Sequence, residues 1–242
     1  MKRNLLILVL AGILLLATGC DLIRLQVGPT ETETQSVELG DAESVDVNIN
    51  MGVGELNVSG GAGNLLDATF TFNVDEWRPE VDYDVSGGRG RLTIEQPGEL
   101  PEGIPDDDVT YRWDLQLSDD VPMDLEVNLG VGESELDLSG LFLTGLTMNL
   151  GVGQTTVDLS GAWPDSFDVA IRGGVGETTV RLPRDVGVRV STRTGIGNIV
   201  VNDLNRSGDT YTNDAYDEGA DVVLDVTLEG GIGEITLELA ES

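Results

Sequence analysis

One short unit limits what this chain can fold into: Gly-x-Gly with alternating apolar residues on both sides. Clear copies begin at Gly52, Gly130, Gly151, Gly174, Gly195 and Gly231, and a weaker one begins at Gly88. From Gly130 the spacings are 21, 23, 21 and 36, the last being one period plus a 15-residue insertion. Self-similarity at such a period marks an array of stacked supersecondary units.

Aligned on the first glycine, the copies form columns. Five residues before it stand Val47, Tyr83, Leu125, Leu146, Val169, Val190 and Val226. Six residues after it stand Val58, Ile94, Leu136, Val157, Val180, Val201 and Leu237. Between the glycines the residue is Val or Ile in every copy but the weak one, which has Arg89. A period of two on each side predicts two strands per unit, each with one buried face. The apolar phase shifts by one residue across the glycine pair, so a corner there keeps both strands facing inward.

Two arrangements fit this pattern. One is an antiparallel meander of hairpins. The other, favoured here, is an all-β fold, a parallel β-solenoid (β-helix-like) of about 21-residue Gly-x-Gly coils, in which equivalent strands stack about 4.8 Å apart. In chain order the residue after the glycines runs Glu133, Gln154, Glu177, Asn198, Glu234, which keeps carboxylates apart. Arg172 would neighbour Arg193, which fits less well. The predicted organisation is a signal segment over 1–19, a flexible tether over 20–36, a less regular β-rich N-terminal portion over 37–118 and the solenoid repeats over 119–242. The tether rests on Pro29 and Thr30-Glu31-Thr32-Glu33-Thr34, which have no sustained apolar period.

The first twenty residues carry a second signal. Lys2 and Arg3 precede an apolar run from Leu5 to Ala17, too short to span a bilayer. The run ends in Ala17-Thr18-Gly19-Cys20, and Cys20 is the single cysteine of the chain. The segment resembles a bacterial lipoprotein signal, which implies acyl chains on Cys20, cleavage before it and a place on the extracytoplasmic face of a membrane. More than one acyl chain is what stable anchoring needs.

Composition removes whole classes of chemistry. The chain has 44 acidic against 13 basic residues, a formal charge of −31, and no His. Nucleic acid is excluded as a partner, because binding it depends on neutralising phosphates. Without His there is no Ser-His-Asp triad and no imidazole metal site.

Taken together, the repeated Gly-Val-Gly-Glu units, Asp-Leu-Ser-Gly-Leu at 137–141, the Trp113-Asp114-Leu115 strand and the lipoprotein signal resemble the bacterial toast-rack lipoproteins. That group is similar to the C-terminal domain of cell-wall-active-antibiotic response proteins and to the head-GIN adhesins. Over residues 37–242 the resemblance implies a right-handed parallel β-helix-like fold at the cell envelope, and it brings no catalytic residues.

Three candidate sites remain. The Gly-x-Gly motif lacks the third glycine and the helix that a dinucleotide fingerprint requires, so it reads as a corner. Arg172, Arg189 and Arg193 near Asp168 could imitate the cluster of a polysaccharide lyase or hydrolase built on a β-helix. The insertion carries Asp203, Asp209, Tyr211, Asp214, Tyr216 and Asp217, the best candidate for a partner-contact loop. No cofactor is expected; the oxygen-rich run makes calcium the one candidate, but it lacks the EF-hand spacing. The function expected is a lipid-anchored, non-enzymatic binding or scaffolding module, serving envelope-stress response or adhesion. Its partners would be the membrane, through the lipid on Cys20, and an envelope protein or glycan. The alternative is a carbohydrate-active β-helix enzyme.

Overall fold

The computed structural model describes residues 27–98, 109–193 and 195–240. Cys20 and the segment before it lie outside the described residues. Within them the chain is all-β. In chain order the first strands are β1 (Val27–Val37), β2 (Ser44–Ser59), β3 (Leu66–Val74), β4 (Glu80–Ser86), β5 (Arg89–Glu95), β6 (Tyr111–Leu117) and β7 (Met123–Asp137). Then follow β8 (Leu143–Asn149), β9 (Val152–Asp158), β10 (Phe167–Arg172), β11 (Val175–Leu182), β12 (Gly187–Arg193) and β13 (Ile196–Asn202). The last are β14 (Asn205–Ser207), β15 (Thr210–Thr212), the one-turn helix α1 (Asp214–Asp217), β16 (Val223–Glu229) and β17 (Ile232–Leu239).

Each repeat contributes one strand before its glycine pair and one after it; β2 and β7 run through the corner unbroken. Equivalent strands pair in parallel with glycine facing glycine, in the order Gly54, Gly132, Gly153, Gly176, Gly233, Gly197. The meander reading is therefore overturned for the repeats. The stack does not follow the chain, however. The 223–239 repeat is inserted between the 167–182 and 187–202 repeats, because β16 pairs with both β10 and β12.

This order changes what each column contains. Glu229 stands between Arg172 and Arg193, so the two arginines do not meet. The separation of carboxylates by amides is corrected in turn: Glu177 faces Glu234, and Asn198 ends the column.

The repeats form an open sheet folded along the glycine corner. One arm runs β4, β5, the first half of β2, the first half of β7, β8, β10, β16, β12, β15, β14. The other runs β1, β3, β6, the second half of β2, the second half of β7, β9, β11, β17, β13. Between the arms lies the core, made of the aliphatic columns: Val47, Leu125, Leu146, Val169, Val226 and Val190 are all buried, as are Val58, Leu136, Val157, Val180 and Leu237. At the N-terminal end Phe70, Trp77, Tyr111 and Trp113 close it with edge-on ring contacts. Tyr111 donates its hydroxyl hydrogen bond to the Trp77 carbonyl at 2.6 Å, and burial pushes its phenol pKa up.

Two further readings are corrected. Gly88 does not begin a corner. Gly87 and Gly88 have φ of 62° and 80° and turn the antiparallel β4–β5 hairpin, the conformation of a tight two-residue loop. The stretch read as a tether contains β1, antiparallel to β3. Its core-side positions are Glu31, Glu33, Gln35 and Val37, opposite Phe72, Phe70, Ala68 and Leu66. Inward-pointing charge suits an edge strand and erases the apolar period. Arg78 pairs with both Glu31 and Glu33 and lies over the Phe72 ring.

Candidate interaction surfaces

Along the corner the two arms meet through backbone alone. A Cβ at Gly151, Gly174 or Gly231 would overlap the carbonyl oxygen of the glycine below it, so the courses approach more closely than any side chain allows. The second glycines, such as Gly153 at φ 147°, adopt a conformation that L-residues avoid. At the N-terminal end of this column the glycine carbonyls of a further course are replaced by a side chain. The Gln96 Oε1 accepts hydrogen bonds from Gly52 N at 2.9 Å and Val53 N at 3.0 Å.

The corner also turns out the residue between the glycines. Val131, Val152, Val175, Ile232 and Ile196 form a row of exposed aliphatic side chains, the least exposed being Val131 at 37% and the most Ile196 at 73%. Sequence periodicity counts these positions among the apolar columns; the reversed backbone at the second glycine puts them outside.

The outer faces are polar ladders. Asn128 Nδ2 donates to Asn50 Oδ1 at 2.8 Å, and Asn149 Nδ2 donates to Asn128 Oδ1 at 2.7 Å. The same row continues through Arg172, Glu229 and Arg193, with ion pairs of 3.6 and 3.1 Å to Glu229. Arg189 pairs with Asp225. Arg181 pairs with Glu238 at 2.9 Å and Asp158 at 3.8 Å. Arg172, Arg189 and Arg193, which resemble a catalytic cluster in the sequence, are thus each tied to an acid on the neighbouring strand. Asp168 faces Asp225 in register. Among the described residues no three acidic side chains converge as a metal site would require.

The insertion folds onto the end of the stack. β15 adds to β12, β14 adds to β15, and α1 follows. Tyr211 is only 5% exposed, its ring packed into the core and covered by Arg206, so it is not offered to a partner. Tyr216 is half-buried, while Asp203, Asp209, Asp214 and Asp217 are exposed. Asp214 and Asp217 both accept hydrogen bonds from Asn205 Nδ2, and Asp203 pairs with Arg184 at 3.8 Å. The residue that holds this cap is Asn213, only 1% exposed. Its Oδ1 accepts from Val188 N and Tyr216 N, and its Nδ2 donates to the carbonyls of Val186 and Pro183. An Asn before a short acidic turn is an N-cap signal, and it was the one clue to this role in the sequence.

Among the described residues no helix is long and apolar enough to cross a membrane. Residues 26–181 match the family model for the N-terminal domain of toast_rack. Residues 143–237 match that for the C-terminal part of LiaF, of the cell wall-active antibiotics response. A proposed cell adhesion protein of Clostridium sporogenes has a crystal structure 33% identical to this chain. It covers 88% of this chain and 100% of its own, with a TM-score of 0.85. A proposed lipid binding protein of Parabacteroides distasonis, 10% identical over 86% of this chain and 97% of its own, has a TM-score of 0.31. A proposed adhesin of Parabacteroides merdae, 12% identical over 88% and 97%, has one of 0.27. No curated protein matches the chain.

Proposed function

Because this chain belongs to the toast-rack family, we propose that it is a lipid-anchored, non-enzymatic module of the cell envelope, binding or scaffolding in envelope-stress response or adhesion. The family match to the LiaF C-terminal part and the adhesion protein of Clostridium sporogenes support the envelope role. One observation carries the non-enzymatic reading. The charged side chains are spent in ladders along the strands, Arg172 and Arg193 on either side of Glu229 and Arg189 on Asp225, rather than gathered at one point. Ion pairs of this kind balance charge on a solvated face and are individually weak.

The repeats act as a solenoid-like stack, one course per period of about 21 residues, giving a rigid body whose outer surface is regular. Cys20 fixes that body to the membrane through its lipid. The insertion residues Asp203, Asp209, Asp214, Tyr216 and Asp217 remain a contact surface for an envelope protein or glycan, now without Tyr211.

Fractionation tests the anchor. The full chain is expected to sediment with membranes and C20S to remain in the soluble fraction; an unchanged distribution overturns the anchor. Incubation with peptidoglycan and acidic polysaccharides tests the rest. Products beyond one equivalent of protein, lost on Arg189→Ala, would show an enzyme.

A further inference from the structure

We propose that the outer edge of β13 takes up one extended strand of a partner protein, aliphatic at alternate positions and flanked by basic residues. The inference rests on the reading of this chain as a binding module and names the partner's chemistry. Among the described residues nothing pairs with that edge; β13 is hydrogen-bonded to β17 alone.

The other ends of the sheet are guarded. β4 carries Glu80, Asp82 and Asp84, β1 carries Pro29 and inward-pointing glutamates, β12 is covered by β15, and β14 is three residues long. Charge, proline and short length are the means by which proteins keep edges from pairing. β13 has none of them. Ile-Gly-Asn-Ile-Val-Val-Asn holds no charged residue in a chain with 44 acids, and Ile196 and Val200 are exposed on it.

Among the described residues the end of the stack also lacks one strand. On one arm β15 stands a full level beyond β12, while the same level on the other arm is empty beside β13. A strand added there would face β15 across the core. It would extend the cover over the half-buried Ile199 and Val201 and bond the backbone edge, which is how β-augmentation works.

A second copy does not suit this place. β15 and β14 already fill the level that its own folded sheet would need, and its formal charge is also −31. The surroundings select a cation instead. Glu234 on the neighbouring strand, Asp203 just after β13 (also 3.8 Å from Arg184) and Asp209, bonded to Thr192 at the corner end of β12, are all exposed acids. Lys or Arg at the ends of the incoming strand would meet them.

The test uses the full-length chain in detergent. The probe is a nine-residue peptide of alternating Thr and Ile with two Lys at each end, and a Glu-flanked copy is the control. Hydrogen exchange is read at amides 196–202. The expected result is saturable protection there of about tenfold or more, absent in the double variant Ile196→Lys with Val200→Lys, and at least about tenfold weaker binding of the Glu-flanked peptide. Both substitutions fall on exposed side chains, so an unchanged melting temperature verifies the fold. Four results overturn the proposal: no binding at millimolar peptide, binding without protection at 196–202, binding unaffected by the double variant, or concentration-dependent self-association that the double variant abolishes. The last assigns the edge to a second copy. None of these results bears on the membrane fractionation or the turnover assay, so the two readings fail separately.

Discussion

At the scale of single residues the glycines of the corner decide the fold. At Gly174 the constraint is steric rather than torsional: an added methyl would overlap the carbonyl oxygens of Gly151 and Leu150. The strand must then move away from its neighbour, and the Ile232 N to Gly174 O bond of 2.8 Å is strained or lost on the other side. Overpacking together with a broken ladder bond costs about 3 kcal/mol. Gly174→Ala is therefore expected to lower the Tm by about 6–12 °C in a chain of this size. Gly40→Ala is the control. There φ is 62° but nothing lies within 4 Å, and the torsional cost of about 1 kcal/mol should shift Tm by about 2–4 °C. Equal shifts, measured by calorimetry, would mean that the courses relax to admit a methyl group and that close approach does not set the corner.

Among the elements, the exchange of the last two courses has a basis in charge. In chain order Arg172 would lie beside Arg193 and Arg181 beside Asn202. In the observed order Glu229 separates the first two, and Glu238 joins Arg181. One column disagrees, since Glu177 now faces Glu234, so charge biases the order without dictating it. Glu229→Lys puts three cations in one row and should lower the stability by about 1–2 kcal/mol, with Glu229→Gln costing about half as much. The urea midpoint reads this at constant slope, and no change in either variant removes charge as a factor in the order. The parallel courses were legible in the sequence because six copies repeat the same apolar phase about one corner. Their order was not, because the two central columns, at Val47 and at Val58, are aliphatic in all six copies and pack alike in any permutation. The β1 strand was hidden for a different reason: an edge with Glu31 and Glu33 on its core side has no period to read. In the candidate loop the exposed aspartates were placed by composition, whereas Tyr211 and Asn213 are buried by a hairpin that only the tertiary pairing with β12 creates.

Across the whole molecule the strongest electrostatic effect is self-repulsion. A formal charge of −31 is spread over two sheet faces whose outward columns lie about 4.8 Å apart, well inside the screening length of about 10 Å at 0.1 M salt. The exposed ion pairs work in the opposite direction, but each is worth at most about 1 kcal/mol and salt weakens them too. With 44 acids to 13 bases most carboxylates have no cation to lose, so screening relieves more repulsion than it removes attraction. The Tm is expected to rise steadily from 10 mM to about 1 M NaCl and to level off as the screening length approaches about 3 Å. Acid divides the effect. Hydrogen bonds from Ser36 and Asn64 hold the Asp67 carboxyl below the usual range; at Asp114 burial acts upward, but Arg112 and Asn57 outweigh it. A carboxyl lowered in the folded state contributes stability that is complete above its unfolded pKa and is lost as pH falls through the folded value. Lowering pH from 7 towards the pI of about 4.1 should therefore raise the Tm at low salt, as charge is neutralised, and further acid should reverse the gain as Asp67 and Asp114 protonate. At 1 M NaCl the rise should vanish and the acid fall should remain. A Tm that drops as salt is added would show instead that the arginine ladders, not the unpaired acids, govern the electrostatics of the stack.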